Sequence, residues 1–326
     1  MSIFQRNIRA VPAKIRWLIV TVTVNPSIDR NVAADRLVFE DRAHILARSE
    51  SAGGRGINAS AVIHAFGGQT LAIAPAGGKN GKRLEAHLAT LGFPFELVRI
   101  KQEIRSNLTI SDKSGLTVKL NEFGPAMDAA ELGRLERAVR ARLNGAHCLM
   151  LCGSLPPGVP AEFYARLIRG ARKRGVRTFL DTEGDALLVG AEAGPSVVAP
   201  NQQEAERLLN RALITRNHFH EAVERINALG AESVILSLGS RGALGMHAGK
   251  KVAVTPPRVE AVCPICSGDA LAAAFTWAIS SGKDFSESLR WAVAAGTASA
   301  MQPGLSFASL AQTEEMFPRV TVGESV

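Results

Sequence analysis

The residues Trp17–Asn25, WLIVTVTVN, form an apolar, β-branched run in which polar and apolar positions do not alternate. A strand with one wet face alternates, so this run predicts a strand covered on both sides, as in a parallel sheet. LAIAPAGG, HCLMLCGS, VRTFLDT, SVVAPN and SVILSLG have the same character. Between the core strands lie helix-like stretches, among them GKRLEAHLATLG, DAAELGRLERAVRARL, PAEFYARLIRGARKRG and HFHEAVERINALG. Strands alternating with helices predict an α/β fold: a doubly wound, mainly parallel sheet flanked by helices. Two more polar regions, about 31–50 and 105–122, break that pattern. Their partial alternation predicts a small sheet beside the main one, with Asp112–Gly115 as the turn of a hairpin.

A chain of 326 residues with 46% hydrophobic content can bury a large core. No apolar run is long enough to span a bilayer. Four cysteines do not make a disulfide scaffold, so a reducing cytoplasm is the expected compartment. The net charge is +8, and half of it sits in residues 1–16, where Arg6, Arg9, Lys14 and Arg16 face no acid. That basic extension lacks the apolar core of a signal peptide and reads as a ragged or misassigned start. Residues 17–326 then form one domain. Aromatic residues are only 5%, with no aromatic-plus-basic stripe, so nucleic acid is not expected as a partner, nor is a membrane. The modest positive excess fits anionic small molecules.

Ser267-Gly268-Asp269 precedes an apolar helical run. A turn opening a helix aims free backbone N–H groups and the positive end of the helix dipole at one point, which makes an anion site. An acid there is either a first-turn cap or a base for a hydroxyl attacking a phosphoryl group. Gly53-Gly54-Arg55-Gly56-Ile57-Asn58 is a second glycine-rich turn into a helix, a common pattern by itself. Asn201-Gln202-Gln203-Glu204 opens another helix, and its Asn and Glu suit either magnesium through water or a plain helix start. Ser237 to Gly242 links two strands, either as a hairpin or as a contact to nucleotide phosphates.

In this order along the chain, NPSID, AGGRGINASAVIHAFGG, RSNLTI, KLNEFGP, GSLPPGVPAEFYARLI, LDTEGDAL, APNQQEAERL, VILSLGSRGAL and the SGD turn resemble the ribokinase/PfkB family of sugar kinases, its phosphofructokinase branch most closely. The resemblance covers nearly everything from Trp17 onward. It implies a ribokinase-like fold, with the two polar regions as a lid that closes over the sugar and pairs two subunits into a homodimer. It implies ATP as phosphoryl donor, Mg2+ as cofactor and a phosphorylated ketohexose as acceptor, fructose 6-phosphate first. APAGG resembles the minor-type 6-phosphofructokinases, whereas Arg55 and KLNEFGP resemble the fructose-1-phosphate and tagatose-6-phosphate kinases. Carried over by position, Asp269 is the base, and Cys266, Ser267 and Gly268 form the anion hole. Asp29, Gly53, Gly54 and Asn58 bind the sugar. Arg105 meets its phosphate, with Arg55 second and Arg42 third. Asn201 and Glu204 tune magnesium, and Ser237, Gly239 and Gly242 contact ATP.

The pattern also breaks. Cys266 stands where the family has glycine, Ala199 replaces a lysine, and Gln203 stands where a basic residue is common. These losses near the phosphates also fit a weakened or inactive family member that only binds sugar phosphate or nucleotide. The C-x-x-C spacing of Cys263 and Cys266 lacks further ligands for zinc. A redox-active Cys263–Cys266 pair and a drifted anion-hole turn are the remaining readings.

Overall fold

The computed structural model describes residues 17–38, 40–263, 267–304 and 306–323. The N-terminal extension, Pro264, Ile265 and Cys266 lie outside them, and with Cys266 one half of the redox pair and one member of the expected anion hole.

Among the described residues, ten strands form the main sheet, in the order β14-β13-β12-β11-β10-β9-β8-β1-β4-β5. The central strand β1 (Leu18–Thr23) pairs in parallel with β4 (Gln69–Ala76) and β8 (Ala146–Cys152). Parallel pairing continues outward through β5 (Phe95–Arg99) on one side. On the other it continues through β9 (Arg177–Asp181), β10 (Val197–Val198) and β11 (Ser233–Ser237). Three antiparallel strands finish that edge: β12 (Ala243–His247), β13 (Lys250–Thr255) and β14 (Thr321–Gly323). β5, β13 and β14 were not expected from the sequence. β5 and β14 lie at the sheet edges, and β13, KKVAVT, opens on two lysines that weaken its apolar signal.

Side chains of β8 leave the sheet alternately. Leu149 and Leu151 join one core, and Cys148, Met150 and Cys152 join the other. The first core is closed by α2 (Gly78–Thr90), α3 (Ala129–Arg142), α4 (Glu162–Arg172), α5 (Asp185–Glu192), α6 (Gln202–Leu209) and α7 (Arg216–Ala228). The second is closed by α1 (Arg55–Ala65), α8 (Ser267–Ser280) and α9 (Phe285–Ala300), with the short α10 (Leu310–Met316) beyond. Ala270, Ala273, Ala274 and Ala278 on α8 are fully buried, as are Ala292 and Ala294 on α9. Small side chains there let the two helices pack closely. Burial on both faces is why the core strands read as unbroken apolar runs.

A second sheet stands apart, in the order β3-β2-β6-β7. It consists of β2 (Ser27–Ala34), β3 (Ile45–Gly53), β6 (Arg105–Asp112) and β7 (Thr117–Asn121). The hairpin turn at Asp112–Gly115 is present, with the Asp112 carboxylate accepting from the N–H groups of Ser114 and Leu116. The sheet is wider than the sequence implies. It begins at Ser27 and runs to Gly53, so both the NPSID segment and the first glycine of the GGRG turn belong to it. No helix among the described residues is long and apolar enough to cross a membrane.

Tyr164, fully buried on α4, has its hydroxyl 3.1 Å from the Cys152 carbonyl and 3.0 Å from that of Gly153, where β8 turns out of the sheet. Tyr164→Phe removes this donor from both carbonyls, while that of Gly153 still accepts from Thr182 Oγ1 at 2.9 Å. We expect a loss of about 1–2 kcal/mol in urea unfolding with an unchanged m value.

Candidate active site

The strand order reverses beside β1, and ligand crevices in such sheets open at the C-terminal strand ends at that point. The candidate side chains gather there. Asp181 is the last residue of β9, Ser237 the last of β11, and Asn201 follows β10. Asn25, just after β1, fastens three loops together. Its Nδ2 donates to the Phe123 carbonyl at 2.9 Å and to Ser154 Oγ at 3.2 Å. The NPSID, KLNEFGP and GSLPPG segments therefore meet at one side chain.

Two cavities share a wall. The first, about 780 Å³, lies under the second sheet. Its lining includes Asp29, Gly54, Arg55, Asn58, Arg105 and Asp269. Asp29 on β2 points into it, its Oδ1 accepting from Ser27 Oγ at 2.6 Å and Asn107 Nδ2 at 2.9 Å. Gly53 lets this carboxylate lie against the backbone, because an added Cβ would sit 2.3 Å from it. Gly54 has φ +123°, which strains any other residue, and it turns the chain from β3 into α1. Arg105 opens β6. One Nη donates to the Glu122 carbonyl at 3.1 Å, and its buried Nε has no partner. Burial lowers its pKa, with Asp29 opposing. Lys119 and Asn121 of β7 line the same cavity and were missed in the sequence. Only strand register shows that they face inward while Val118 and Leu120 face out. Arg42 lies in an exposed loop beside Asp41 and is not among the lining residues.

The second cavity, about 490 Å³, lies between α6, the β11–β12 turn and the start of α8. Ser237, Gly239, Ser267 and Gly268 line it. Gly242 does not. Its φ is +92°, and a Cβ there would meet the Val254 carbonyl, so this glycine serves the turn and not the cavity. Asn201 caps α6 reciprocally with Glu204. Asn201 Oδ1 accepts from the Glu204 N–H and Glu204 Oε2 from the Asn201 N–H, both at 2.9 Å. The helix-start reading of this pair is thus realised in the structure. Ala199 and Gln203 line the same cavity without charge.

Arg55 and Asp269 line both cavities. The Arg55 guanidinium, expected as a second clamp for the sugar's phosphate, is engaged by acids. One Nη is 2.7 Å from Asp181 Oδ1, and the other is 3.0 Å from Glu204 Oε1 and 3.8 Å from Glu183. Asp181, above all, holds its pKa above the usual guanidinium range. Asp181 and Glu183 were not singled out in LDTEGD, although an acid ending a core strand is a signal for this edge of the sheet. Burial raises the Glu204 pKa, with Arg55 opposing and Asp181 adding. Asp269, third residue of α8, accepts from Asn58 Nδ2 at 2.7 Å. Its pKa is pushed up to about 7, by burial first and Asp181 second, against the pull of Asn58 and Arg55.

The described residues hold no group of three or more His, Cys, Asp or Glu side chains able to grip a metal ion by themselves. Cys148 and Cys152 are buried, and burial pushes the Cys148 thiol up to about 12.

Comparison with known proteins gives a consistent picture. Residues 21–312 match the model of the pfkB family carbohydrate kinases. The chain is 33% identical to the ATP-dependent 6-phosphofructokinase isozyme 2 of Escherichia coli (strain K12), over 92% of this chain and 97% of that one. It is 28% identical to a tagatose-6-phosphate kinase of Staphylococcus epidermidis, over 94% and 100%. The crystal structure of E. coli phosphofructokinase-2 in complex with fructose-6-phosphate superimposes with a TM-score of 0.85 at 33% identity, covering 92% of this chain and 98% of that one. A tetrameric inhibited form of the same E. coli protein has the same score, identity and coverage.

The Asp269 shift sets a pH test. Its folded pKa, about 7, lies above the ordinary carboxylate value, so the folded state holds the proton more tightly. The group's contribution to stability therefore declines as pH rises from about 4 towards 7. Asp269→Asn carries no such proton. Its melting temperature should match the wild type near pH 4 and exceed it progressively up to about pH 8 in thermal unfolding.

Proposed function

The chain belongs to the pfkB family of carbohydrate kinases, and we propose that it transfers the terminal phosphoryl group of ATP to fructose 6-phosphate, giving ADP and fructose 1,6-bisphosphate. The observation that carries this reading is that Asp269 lines both cavities, so a hydroxyl held in one can meet a phosphate held in the other. Asp29 and Asn107 orient the sugar hydroxyls. Arg105 meets the 6-phosphate, and its unpartnered buried Nε is a donor waiting for an acceptor. Lys119 adds charge on the same side. ATP lies along the second cavity, its phosphates towards the start of α8. There the Ser267 and Gly268 N–H groups and the helix dipole face the transferring phosphoryl.

Asp269 accepts the proton of the attacking hydroxyl. A pKa of about 7 makes it a base matched to neutral pH, which its ordinary acidity would not. The oxygen donors of Asp181, Glu204 and Asp269 suit Mg2+, which prefers a few carboxylates, waters and substrate phosphates to a closed protein cage. The ion would arrive with the nucleotide and supply charge neutralisation on its phosphates. With Asn201 and Glu204 engaged in their mutual cap, their contact with it would run through water.

The outer face of the second sheet leaves Val118, Leu120, Ile45 and Leu46 exposed, and the adjoining Phe123 is 84% exposed. This exposed apolar face, which a second copy would cover, supports the reading of the sheet as a lid shared by a homodimer. A cytoplasmic location follows from this reading, since ATP and a hexose phosphate are its substrates.

Neutral Ala199 and Gln203 beside the phosphates favour a second reading, a family member that binds without turnover. ADP release with MgATP separates the two. We expect turnover with fructose 6-phosphate above that with tagatose 6-phosphate or fructose 1-phosphate, and none in Asp269→Asn. The rate should rise with pH as Asp269 loses its proton near 7. Arg105→Met should raise the KM for fructose 6-phosphate roughly 10- to 100-fold, with a smaller change in kcat. A thermal shift with ATP and no ADP release for any of the three sugars would establish the binding protein instead.

A further inference from the structure

We propose that Arg55 is the fixed cation of the nucleotide cavity: its guanidinium meets the terminal phosphates of the nucleotide, not the phosphate already on the sugar. The inference deepens the kinase reading. It rests on the nucleotide occupying the second cavity and is independent of which sugar is the acceptor.

The argument begins with charge. Asp181, Glu204 and Asp269 all line this cavity. Among its described lining residues, Arg55 is the one basic side chain, and Ala199 and Gln203 at its rim are neutral. A nucleotide polyphosphate entering such a space meets like charge on three sides; Mg2+ arriving with it would offset part of that charge, and Arg55 is the cation the protein itself holds among the acids.

Reach comes next. Arg55 starts α1, on the sugar side. Its side chain crosses over Gly153, where a Cβ would lie 3.9 Å from Arg55 Cγ. The guanidinium thereby arrives beside Asp181 and Glu204, at 2.7 and 3.0 Å. These two hydrogen bonds use two of the five N–H donors of the fork, and the others remain for a phosphate. The paired acids orient the fork in advance, as a positioned cation requires. Arg105, by contrast, lines only the sugar cavity of the two.

The test is isothermal titration of adenosine, ADP and a non-hydrolysable ATP analogue, with fructose 6-phosphate in parallel. The proteins are the wild type, Arg55→Lys, Arg55→Met and the double variant Arg55→Met/Ala199→Lys. Arg55→Met should weaken ADP and the ATP analogue by about tenfold or more, and adenosine by less than about twofold. Arg55→Lys, with charge but no fork, should fall between. The lysine at 199 should recover much of the loss by restoring a cation to the same cavity. Equal weakening of all three adenosine ligands would overturn the proposal, because a distorted pocket does not count phosphates. Intact ADP affinity with fructose 6-phosphate binding lost would overturn it in favour of a sugar-phosphate clamp, and so would a wild type that binds no ADP. If Arg55→Met unfolds, Arg55→Lys decides alone, since it keeps a charge on the buried acids. A wild type that binds ADP but no fructose 6-phosphate would refute the substrate and leave the Arg55 series fully readable.

Discussion

One guanidinium among acids is the interaction on which the site depends. Asp181, Glu183 and Glu204 all lie within 4 Å of Arg55, and Asp269 shares both cavities with it. Without that charge, Glu204, only 4% exposed, would be a buried carboxylate with no cationic partner. The arrangement also sets the chemistry. Burial first and Asp181 second raise the Asp269 pKa while Asn58 and Arg55 restrain it, and the balance lies near neutrality. A carboxyl group becomes an effective base at neutral pH only where burial and like charge are opposed by a limited attraction.

The scaffold makes this crowding possible. Parallel strands end together, so residues far apart in sequence emerge at one edge. Glycines then allow backbones to approach where side chains would collide, as at Gly53 against Asp29. The close alanine packing of α8 against α9 holds the helix that carries Asp269. Asn25 ties three loops beneath the second sheet, so several residues of the most distinctive motifs shape the cavity without entering the chemistry.

Much of this was legible beforehand. Unbroken apolar runs marked strands covered on both faces, and partial alternation marked the second sheet. The SGD turn pointed to Asp269 because a helix start has a local signature. The asparagine and glutamate three positions apart at the start of α6 were equally local, and they do form the reciprocal cap that one reading allowed. Lys119 and Asn121 went unnoticed because their inward direction follows from β6–β7 register. Gly242 was assigned to ATP through the family resemblance; it is not among the residues lining the cavity, and its positive φ belongs to the turn between β11 and β12.

The order of elements and the two-faced burial of the core strands were determined by the sequence itself, and the SGD turn offered Asp269 as the candidate base. Each follows from residues close together in the chain, where spacing decides periodicity, capping and turn chemistry. The tertiary structure alone decided where Arg55 points. Its partners lie 126 and 149 residues away and come into range only when β9 and α6 are laid beside the start of α1. An ion pair depends on separation in space, and separation along the chain carries no record of it.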